Sequence, residues 1–320
     1  MDLPTYAIEA KGLIKTYKAT KTTPAKTALN GVDLQIPRGS IFGLLGPNGA
    51  GKSTFINILA GLVRKTSGTV RIWDRDIDER PRDARACIGV VAQEIAADVF
   101  FTPRESMEVQ AGMYGVPKAE RHTLEILNAL GLGDKADAYV RQLSGGMKRR
   151  LMVAKAMVHN PPILILDEPT AGVDVELRRQ LWRYVVGLNQ LGVTIVLTTH
   201  YLEEAQELCD TIAIVNRGEV VACEPTAQLL RRLDTRTVVI TPTAPLSEVP
   251  ALGRYAGVIR PGGELAVTFK TGESGVEAVL AAVREAGVAI KDLATEDPDL
   301  EDVFMSLTYS AGEEADPTRA

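Results

Sequence analysis

Residues 41–54 read Ile41-Phe42-Gly43-Leu44-Leu45-Gly46-Pro47-Asn48-Gly49-Ala50-Gly51-Lys52-Ser53-Thr54. The first five are apolar or small and predict a buried strand, while the apolar spacing of Phe55, Ile56 and Leu59 predicts a helix after the turn. The turn itself matches the pattern G-x-x-x-x-G-K-[ST]. A strand, a glycine-rich turn and a helix in this order predict an α/β fold with a phosphate site at the carboxyl end of the strand.

The glycine-rich turn has the chemistry to hold a nucleotide through its phosphates. Its glycines allow backbone N–H groups to surround a phosphate without Cβ clashes, and the helix that follows directs its positive end at the same phosphate. In this pattern the Lys52 ammonium reaches the β- and γ-phosphates, and the Ser53 hydroxyl binds Mg²⁺. The turn therefore predicts a bound nucleotide and a magnesium ion.

A second strand ends in two acidic residues. The run Ile163-Leu164-Ile165-Leu166 is followed directly by Asp167 and Glu168, and ligands of open α/β sheets bind outside the carboxyl ends of the strands. We expect Asp167 to hold Mg²⁺ through water and Glu168 to take a proton from, or polarise, an attacking water. Alone, this pair fits a solvated turn equally well, but beside a phosphate loop it predicts hydrolysis.

A third element is Leu143-Ser144-Gly145-Gly146-Met147, which opens a helix predicted from about Met147 to Val158. A serine and two glycines at a helix N-terminus form an anion site, although a plain helix cap has the same residues. The phosphate loop already has its own anion site. A second one therefore needs a second phosphate or a second subunit.

Apolar runs and helical patterns alternate along about the first 230 residues, which is typical of an α/β layer fold. The run Val193–Thr199 is a further strand, and its continuous apolar character suits a strand covered on both faces. From about Ala96 to Asn160 the pattern becomes helical, with Leu124, Leu127 and Leu130 spaced three apart. We interpret this stretch as a helical subdomain inserted into the core.

The character of the chain changes again near Leu233. Proline-rich turns separate short strands, an apolar stripe predicts a helix near 276–283, and Asp297-Pro298 predicts the N-cap and first residue of a last helix. We predict a nucleotide-binding domain over residues 6–232, a small accessory α+β domain over 233–309, and a polar, disordered tail over 310–320.

Composition narrows the function further. The 320 residues have a formal net charge of −5 and an isoelectric point near 5.5, which argues against a general nucleic-acid binder. Three scattered cysteines, with no CxxC pair, argue against a disulfide framework or a zinc site. The chain has neither a secretory signal nor an apolar run long enough to span a bilayer, so we expect it in the cytosol unless another protein holds it at a membrane.

Several independent motifs, in one order along the chain, resemble those of the ATP-binding cassette (ABC) ATPases. Gly46–Thr54 is similar to their Walker A loop, Leu143–Met147 to their signature motif and Leu164–Glu168 to their Walker B motif. Single residues match as well. Tyr17 is similar to the aromatic residue of the A-loop and Gln93 to the Q-loop glutamine, while Asp174 matches the D-loop aspartate and His200 the switch histidine. The resemblance implies a RecA-like P-loop core with an antiparallel β subdomain and an inserted helical subdomain.

The resemblance also implies a mechanism that accounts for the surplus anion site. In this family two nucleotide-binding domains dimerise head to tail, and each ATP lies between one Walker A loop and the signature of the other subunit. Carried over, Ser144 and Gly146 would contact the γ-phosphate in trans, and Gly145 would also belong to the nucleotide site. Asp174 would reach across the interface. His200 would hydrogen-bond the γ-phosphate, and Gln93 would sense Mg²⁺ and the attacking water. Tyr17 would stack on adenine and Glu168 would be the catalytic glutamate.

The sequence Ser-Gly-Gly-Met-Lys-Arg-Arg at 144–150, together with Thr-Ala-Gly-Val-Asp at 170–174, resembles the subgroup that serves ABC-2-type exporters. This implies an ATPase homodimer that works with a separate membrane permease at the inner face of the cell membrane. We expect the permease to dock beside Gln93, on Phe100, Phe101 and Thr102.

Two other functions stay open at this point: an importer ATPase, and a soluble ABC ATPase acting on ribosomes or DNA. The run Lys148-Arg149-Arg150 is interpreted as a solvated helix face, because charged runs on helices usually face water. His122 and His159 have no motif around them and receive no role.

Overall fold

The computed structural model describes residues 3–20, 24–93, 98–170 and 175–308. The Cα positions divide the chain into two compact units, Met1–Thr226 and Ala227–Ala320. This division falls six residues before the limit of 232 predicted for the first domain, and the domain limits stay predictions. The tail predicted to be disordered, residues 310–320, lies outside the described residues. Within the described ranges no helix is both long and apolar enough to cross a membrane.

An antiparallel sheet opens the first unit. Its strands lie in the order β2-β1-β4-β5, with bounds β1 (Tyr6–Tyr17), β2 (Lys26–Pro37), β4 (Ser67–Ile72) and β5 (Arg75–Asp76). In β2 the side chains of Val32, Leu34 and Ile36 alternate with exposed residues and are buried. This period of two gives the sheet one apolar face.

A six-stranded sheet forms the centre of the first unit. Its order is β10-β9-β3-β8-β7-β6, with bounds β3 (Ile41–Leu45), β6 (Ile88–Val91), β7 (Ile163–Asp167), β8 (Thr194–Thr198), β9 (Thr211–Asn216) and β10 (Glu219–Pro225). All neighbours are parallel except β9 and β10. Every residue of β3, β7 and β8 is buried. The continuous apolar runs therefore correctly predicted strands covered on both faces.

Eight helices of the described chain begin in this unit. They are α1 (Lys52–Leu59), α2 (Pro81–Arg85), α3 (Pro103–Met113), α4 (Thr123–Ala129), α5 (Gly145–Met157), α6 (Val175–Gln190), α7 (Leu202–Leu208) and α8 (Thr226–Leu230), the last crossing into the second unit. Apolar residues of α1, such as Phe55 and Ile58, share one buried cluster with Ile8 of the antiparallel sheet and Ile165 of the parallel sheet. One core thus holds the two sheets and the helix after the phosphate loop together.

Helices α3 to α5 lie between β6 and β7 and form the predicted helical insertion. Thr102 caps α3 in a reciprocal arrangement: its side chain accepts from the Glu105 N–H, and the Glu105 carboxylate accepts from the Thr102 N–H. Helix α4 ends before Gly131, which has a φ of +63°, as the glycine at this point predicts.

The second unit is a small α+β unit, as its sequence pattern indicates. Four antiparallel strands lie in the order β12-β13-β11-β14; the bounds are β11 (Thr235–Pro242), β12 (Ala256–Ile259), β13 (Leu265–Lys270) and β14 (Ile290–Glu296). Val238, Leu265 and Val267 on the sheet pack in one cluster with Val279 and Val283 of α9 (Val276–Glu285). Helix α10 (Leu300–Thr308) follows β14.

The predicted start of α10 was wrong by two residues. Asp297 does not cap the helix; its carboxylate accepts from Arg236 Nε at 2.6 Å. Asp299 takes that role, because its side chain accepts from the Asp302 N–H at 3.0 Å and the Asp302 carboxylate accepts from the Asp299 N–H at 3.2 Å. Two aspartates three residues apart can satisfy both orphan amides reciprocally, which Asp297 followed by Pro298 cannot do.

His159, to which the sequence analysis assigned no role, lies two residues after the end of α5 and is a packing residue. Its ring stacks on Tyr114 with centroids 3.7 Å apart, and Nε2 lies 3.1 Å from the Ile88 carbonyl oxygen. Burial lowers the pKa of His159, and the hydrogen bond to Ile88 raises it to a lesser extent. The folded protein therefore favours the neutral ring.

This histidine should make the fold sensitive to mild acid. Below the unfolded pKa of about 6.5 the unfolded chain binds a proton that the folded chain does not, so stability falls as pH falls. One proton corresponds to about 1.4 kcal/mol per pH unit, or about 2–4 °C of melting temperature for a protein of this size. We expect His159→Gln to reduce the loss of melting temperature between pH 7.5 and 5.5. An unchanged loss in the variant would contradict this assignment.

Candidate active site

Five of the six central strands are mutually parallel, so their carboxyl ends lie along one edge of the sheet. The phosphate loop follows β3, and the polar residues Gln93, Glu168 and His200 follow within two residues of the ends of β6, β7 and β8. The topology therefore brings together four segments that are far apart in sequence. This edge is where open α/β sheets bind ligands.

The phosphate loop has a backbone that only glycine can supply at two positions. Gly46 has a φ of +155° and Gly51 a φ of +116°. A Cβ at Gly46 would collide with the Val215 carbonyl oxygen, and one at Gly51 would come within 2.5 Å of the Ala28 carbonyl oxygen. No side chain caps the N-terminus of α1 at Gly51. This leaves the first amides of the helix to an anionic ligand.

Lys52 lies inside the loop that precedes it. Its Nζ donates to the carbonyl oxygens of Gly46 at 2.5 Å and Pro47 at 3.2 Å, and the residue is 7% exposed. Burial lowers the pKa of Lys52, while the negative charges of Glu168 and Asp167 raise it. The ammonium is thus held at the loop by carbonyl oxygens and faces two carboxylates, with no carboxylate in ion-pair contact among the described residues.

A cavity of about 220 Å³ opens on this loop. Its lining residues come from β1, β2, the phosphate loop, the start of α1 and the ends of β6 and β7: Tyr17, Lys26, Ala28, Asn48, Gly49, Ala50, Gly51, Lys52, Ser53, Thr54, Gln93 and Glu168. Tyr17, predicted from the sequence to stack on adenine, lies on the same cavity as the loop, 40% exposed and with Lys15 Nζ 4.7 Å from its ring centre. The arrangement places an aromatic face and a phosphate loop around one space.

Glu168 contacts the other two residues predicted to act in catalysis, Gln93 and His200. Its Oε2 accepts from Gln93 Nε2 at 2.6 Å and lies 2.7 Å from His200 Nε2. The Glu168 backbone has a φ of +50°, and its N–H donates to both the carbonyl oxygen and the hydroxyl of Thr198 at 3.1 Å. A non-glycine residue in the left-handed region is costly and persists only where its surroundings fix it.

Asp167 supplies the second carboxylate of this edge. Its Oδ1 accepts from Thr198 Oγ1 at 2.5 Å, so one threonine positions both acidic residues. The described ranges contain no group of three or more His, Cys, Asp or Glu that could hold a metal alone. Asp167, the Ser53 hydroxyl and the Gln93 amide oxygen are oxygen donors of the kind that Mg²⁺ prefers, with phosphate oxygens completing its shell. This donor set fits Mg²⁺ bound together with a nucleotide.

The signature residues do not line the cavity. Ser144 caps α5, its side chain accepting from the Met147 N–H at 3.3 Å, and the helix begins at Gly145, two residues before the predicted start. Ser144 and Gly145 are exposed and Gly146 is half-buried, and none of the three belongs to the lining. The other residue predicted to act across an interface, Asp174, lies outside the described residues.

The interpretation of Lys148-Arg149-Arg150 as a solvated face was wrong for both arginines. Arg149 is 3% exposed and donates to five backbone carbonyl oxygens, while Arg150 is buried and donates to the Leu130 carbonyl oxygen at 2.6 Å. Burial lowers the pKa of Arg149, and the charges of Asp167 and Glu168 raise it. Helix α5 is apolar on nearly all sides from Leu151 to Met157, which identifies a buried helix whose charges must find partners.

Sequence reasoning also missed a polar cluster behind the site. Glu204 of α7 is buried and accepts from Thr170 Oγ1 at 3.0 Å and Thr199 Oγ1 at 3.2 Å, with Arg178 Nε 3.3 Å away. Glu204 thereby links Thr170, two residues after Glu168, to Thr199, which directly precedes His200. The sequence carried only a general signal, since an acidic residue in the first turn of a helix is stabilised by the helix dipole, which does not identify the threonines as its partners.

Comparison with known proteins identifies the family. The family described as "ABC transporter" matches residues 29–171. The daunorubicin/doxorubicin resistance ATP-binding protein DrrA of Streptomyces peucetius is 40% identical over 73% of this chain and 70% of its own length. The linearmycin resistance ATP-binding protein LnrL of Bacillus subtilis is 34% identical over 88% and 94%, respectively.

A third relative and one solved structure extend the comparison. The Nod factor export ATP-binding protein I of Sinorhizobium fredii is 36% identical over 92% of this chain and 85% of its own length. The dimeric ATP-binding cassette MJ0796, bound to ADP and Pi, has a TM-score of 0.61 and 30% identity, covering 68% of this chain and 98% of that structure. The phosphate loop, the two carboxylates at the end of β7 and the similarity to these relatives all lead to one conclusion: the chain belongs to the nucleotide-binding ATPases of the ABC transporter family.

Proposed function

We propose that this chain is the ATP-hydrolysing subunit of an exporter, and that it powers transport through a separate permease of the ABC-2 type. Two copies would come together on binding two ATP molecules and separate after hydrolysis. The relatives support export, since they are named for drug resistance and for Nod factor export. The subgroup resemblance of residues 144–150 and 170–174 supports an ABC-2 permease.

The observation that carries the proposal is that the second anion site, at the start of α5, does not line the cavity at the phosphate loop. The cavity at the phosphate loop has no lining residue from α5 among the described residues, whereas Ser144 and Gly145 are exposed at the start of that helix. The positive end of α5 is therefore free to face a phosphate held by a second copy. In such a dimer Ser144, Gly145 and Gly146 bind the γ-phosphate of the ATP on the partner's loop, and Asp174 reaches across the interface.

Within one copy the remaining groups have distinct tasks. Tyr17 stacks on adenine, residues 46–54 hold the phosphates, and Lys52 neutralises charge on the β- and γ-phosphates. Ser53, Asp167 and Gln93 would hold Mg²⁺, which supplies positive charge to the phosphate oxygens when bound. Glu168 accepts a proton from the attacking water, and His200 hydrogen-bonds the γ-phosphate. We place the working protein at the inner face of the cell membrane, where ATP and the permease are both available.

The permease would dock on the exposed aromatic pair that precedes α3. Phe100 is 75% exposed and Phe101 39%, and both stand a few residues after Gln93. Exposed aromatic side chains of this kind are common anchors in protein interfaces. Thr102, also predicted to line the docking site, uses its hydroxyl to cap α3, so its part is to fix the aromatic pair relative to the helix.

Charge substitution at this pair tests both the partner and its place. We expect Phe100→Glu with Phe101→Glu to abolish co-purification with the permease and transport in proteoliposomes, because two carboxylates cannot enter an apolar interface without losing hydration. ATP binding, measured by calorimetry, should stay unchanged. Leu191→Glu is the matched control: Leu191 is 84% exposed and lies after α6, at the opposite edge of the parallel sheet. Normal transport in the double variant would refute the docking site, and absence of any membrane partner would refute the transport role.

A further inference from the structure

Arg149 uses every donor it has. Its Nε donates to the Pro169 carbonyl oxygen at 3.0 Å, one terminal nitrogen to those of Ala92 at 2.9 Å and Gln93 at 2.7 Å, and the other to those of Asp167 at 3.0 Å and Glu168. A guanidinium carries five N–H groups in a fixed planar fork, so five acceptors saturate it. All five acceptors are main-chain atoms.

These carbonyl oxygens belong to two segments only. Residues 92–93 follow β6, and residues 167–169 include the end of β7 and the turn after it. The side chains of these two segments meet, since Gln93 Nε2 donates to Glu168 Oε2 at 2.6 Å. One planar group therefore fixes the distance between the two backbones whose side chains are proposed to hold the attacking water.

The burial of Arg149 without an ion partner is energetically unfavourable. This indicates that the side chain does more than fill space in the core. Arg149 is 3% exposed, and no carboxylate lies in ion-pair contact with it among the described residues. Placing a cation in the interior without an ion partner is unfavourable unless its hydrogen bonds are complete. The neighbouring Arg150 is also buried, but it donates to the carbonyl oxygens of Leu130 and Gly131 and to Gln180 Oε1. These acceptors belong to the helical insertion and to α6, and none of them lines the cavity.

We propose that Arg149 is a positioning residue for hydrolysis, which holds Gln93 and Glu168 in register and ties both to the helix that begins at Ser144. It touches neither nucleotide nor water itself. Because Ser144 is five residues earlier on α5, movement of this helix when the partner's nucleotide is bound shifts Arg149 and with it both side chains. The inference rests on the proposed roles of Gln93, Glu168 and the signature residues.

The test is steady-state hydrolysis by full-length Arg149→Lys, with Arg150→Lys as the matched control. A lysine keeps the charge but cannot bond five acceptors in one plane. We expect kcat to fall about 10- to 100-fold with the ATP dissociation constant within about twofold, because small displacements of catalytic groups cost rate and leave binding intact. Arg150→Lys should lower melting temperature similarly and kcat by less than about threefold.

A double variant with Glu168→Gln distinguishes positioning from general loss of structure. If Arg149 acts by aligning Gln93 with Glu168, adding Arg149→Lys to Glu168→Gln should lower the residual single-turnover rate by a much smaller factor than Arg149→Lys lowers the rate of the parent protein. Multiplied losses, equal losses in Arg149→Lys and Arg150→Lys, or normal kcat in Arg149→Lys would each overturn the inference. If Arg149→Lys does not fold, Arg149→Gln is used in its place. If neither variant folds while Arg150→Lys does, Arg149 has a purely structural role and the inference is overturned. Normal turnover in Glu168→Gln alone would instead refute the proposed catalytic role on which this inference rests.

Discussion

Glu168→Gln should bind ATP as tightly as the parent protein and hydrolyse it about 100- to 10,000-fold more slowly, the range that loss of a general base produces. The glutamine keeps the size and the acceptor oxygen that Gln93 and His200 contact at 2.6 and 2.7 Å. What it loses is the negative charge that accepts a proton from water. The phosphate loop, Lys52 and Tyr17 are untouched, so the affinity for nucleotide has no reason to change.

The same variant should accumulate as an ATP-bound dimer. If two copies close around two nucleotides and hydrolysis separates them, blocking hydrolysis leaves the closed state populated. Gel filtration with ATP and Mg²⁺ measures the dimer, and a phosphate-release assay measures turnover. Glu203→Gln is the matched control, since Glu203 is an exposed acid in the first turn of α7, three residues after His200 in the sequence. A Glu168→Gln protein that stays monomeric with saturating ATP would contradict the dimer mechanism, and near-normal turnover would contradict the role of Glu168.

Much of this site was predictable because its determinants are local or periodic. The residues of the phosphate loop are consecutive, and Glu168 and His200 each follow an apolar run that predicted a buried strand. Gln93 was identified only through the resemblance to the ABC ATPases. Parallel strands place their carboxyl ends on one edge, so Glu168 and His200 were expected to lie close together. The strand before Gln93, β6, became apparent only in the structure. Gln93 and His200 both contact Glu168 Oε2 because the ends of β6, β7 and β8 lie side by side.

Other features were not predictable because their partners are main-chain atoms. Every residue offers a carbonyl oxygen, so the sequence carries no mark of the five that Arg149 contacts. The burial of Arg149 follows from its helix, because apolar residues cover nearly all sides of α5 after Arg150. Considered alone, the charged run favoured a solvated face instead. At α10 the sequence pattern favoured Asp297, whereas the cap is Asp299, two residues later, because Asp302 exchanges hydrogen bonds with Asp299. Local composition alone does not separate such alternatives.

Lys52→Ala should lose ATP affinity by about 10- to 100-fold. Hydrogen bonds to charged groups contribute about 1.5–3 kcal/mol, and each 1.4 kcal/mol is a factor of ten in affinity. In the structure Lys52 Nζ is buried against the Gly46 and Pro47 carbonyl oxygens. An alanine therefore removes a cation that phosphate oxygens would attract and also leaves two loop carbonyls without their donor. Both effects act on the phosphate end of the nucleotide, so isothermal calorimetry with ATP should detect a larger loss than with adenosine.

Lys65→Ala provides the matched control for this variant. Lys65 is also a partly buried lysine whose Nζ donates to a carbonyl oxygen, that of Gly68 at 2.6 Å, but it lines a different groove. Its removal should leave ATP affinity unchanged, which separates the loss of a phosphate-facing charge from the loss of any buried lysine. Equal ATP affinities in Lys52→Ala and the parent protein would mean that the ammonium does not face the phosphates. The glycine-rich loop would then hold the nucleotide by its backbone amides alone, and hydrolysis in Lys52→Ala should remain measurable at ordinary ATP concentrations.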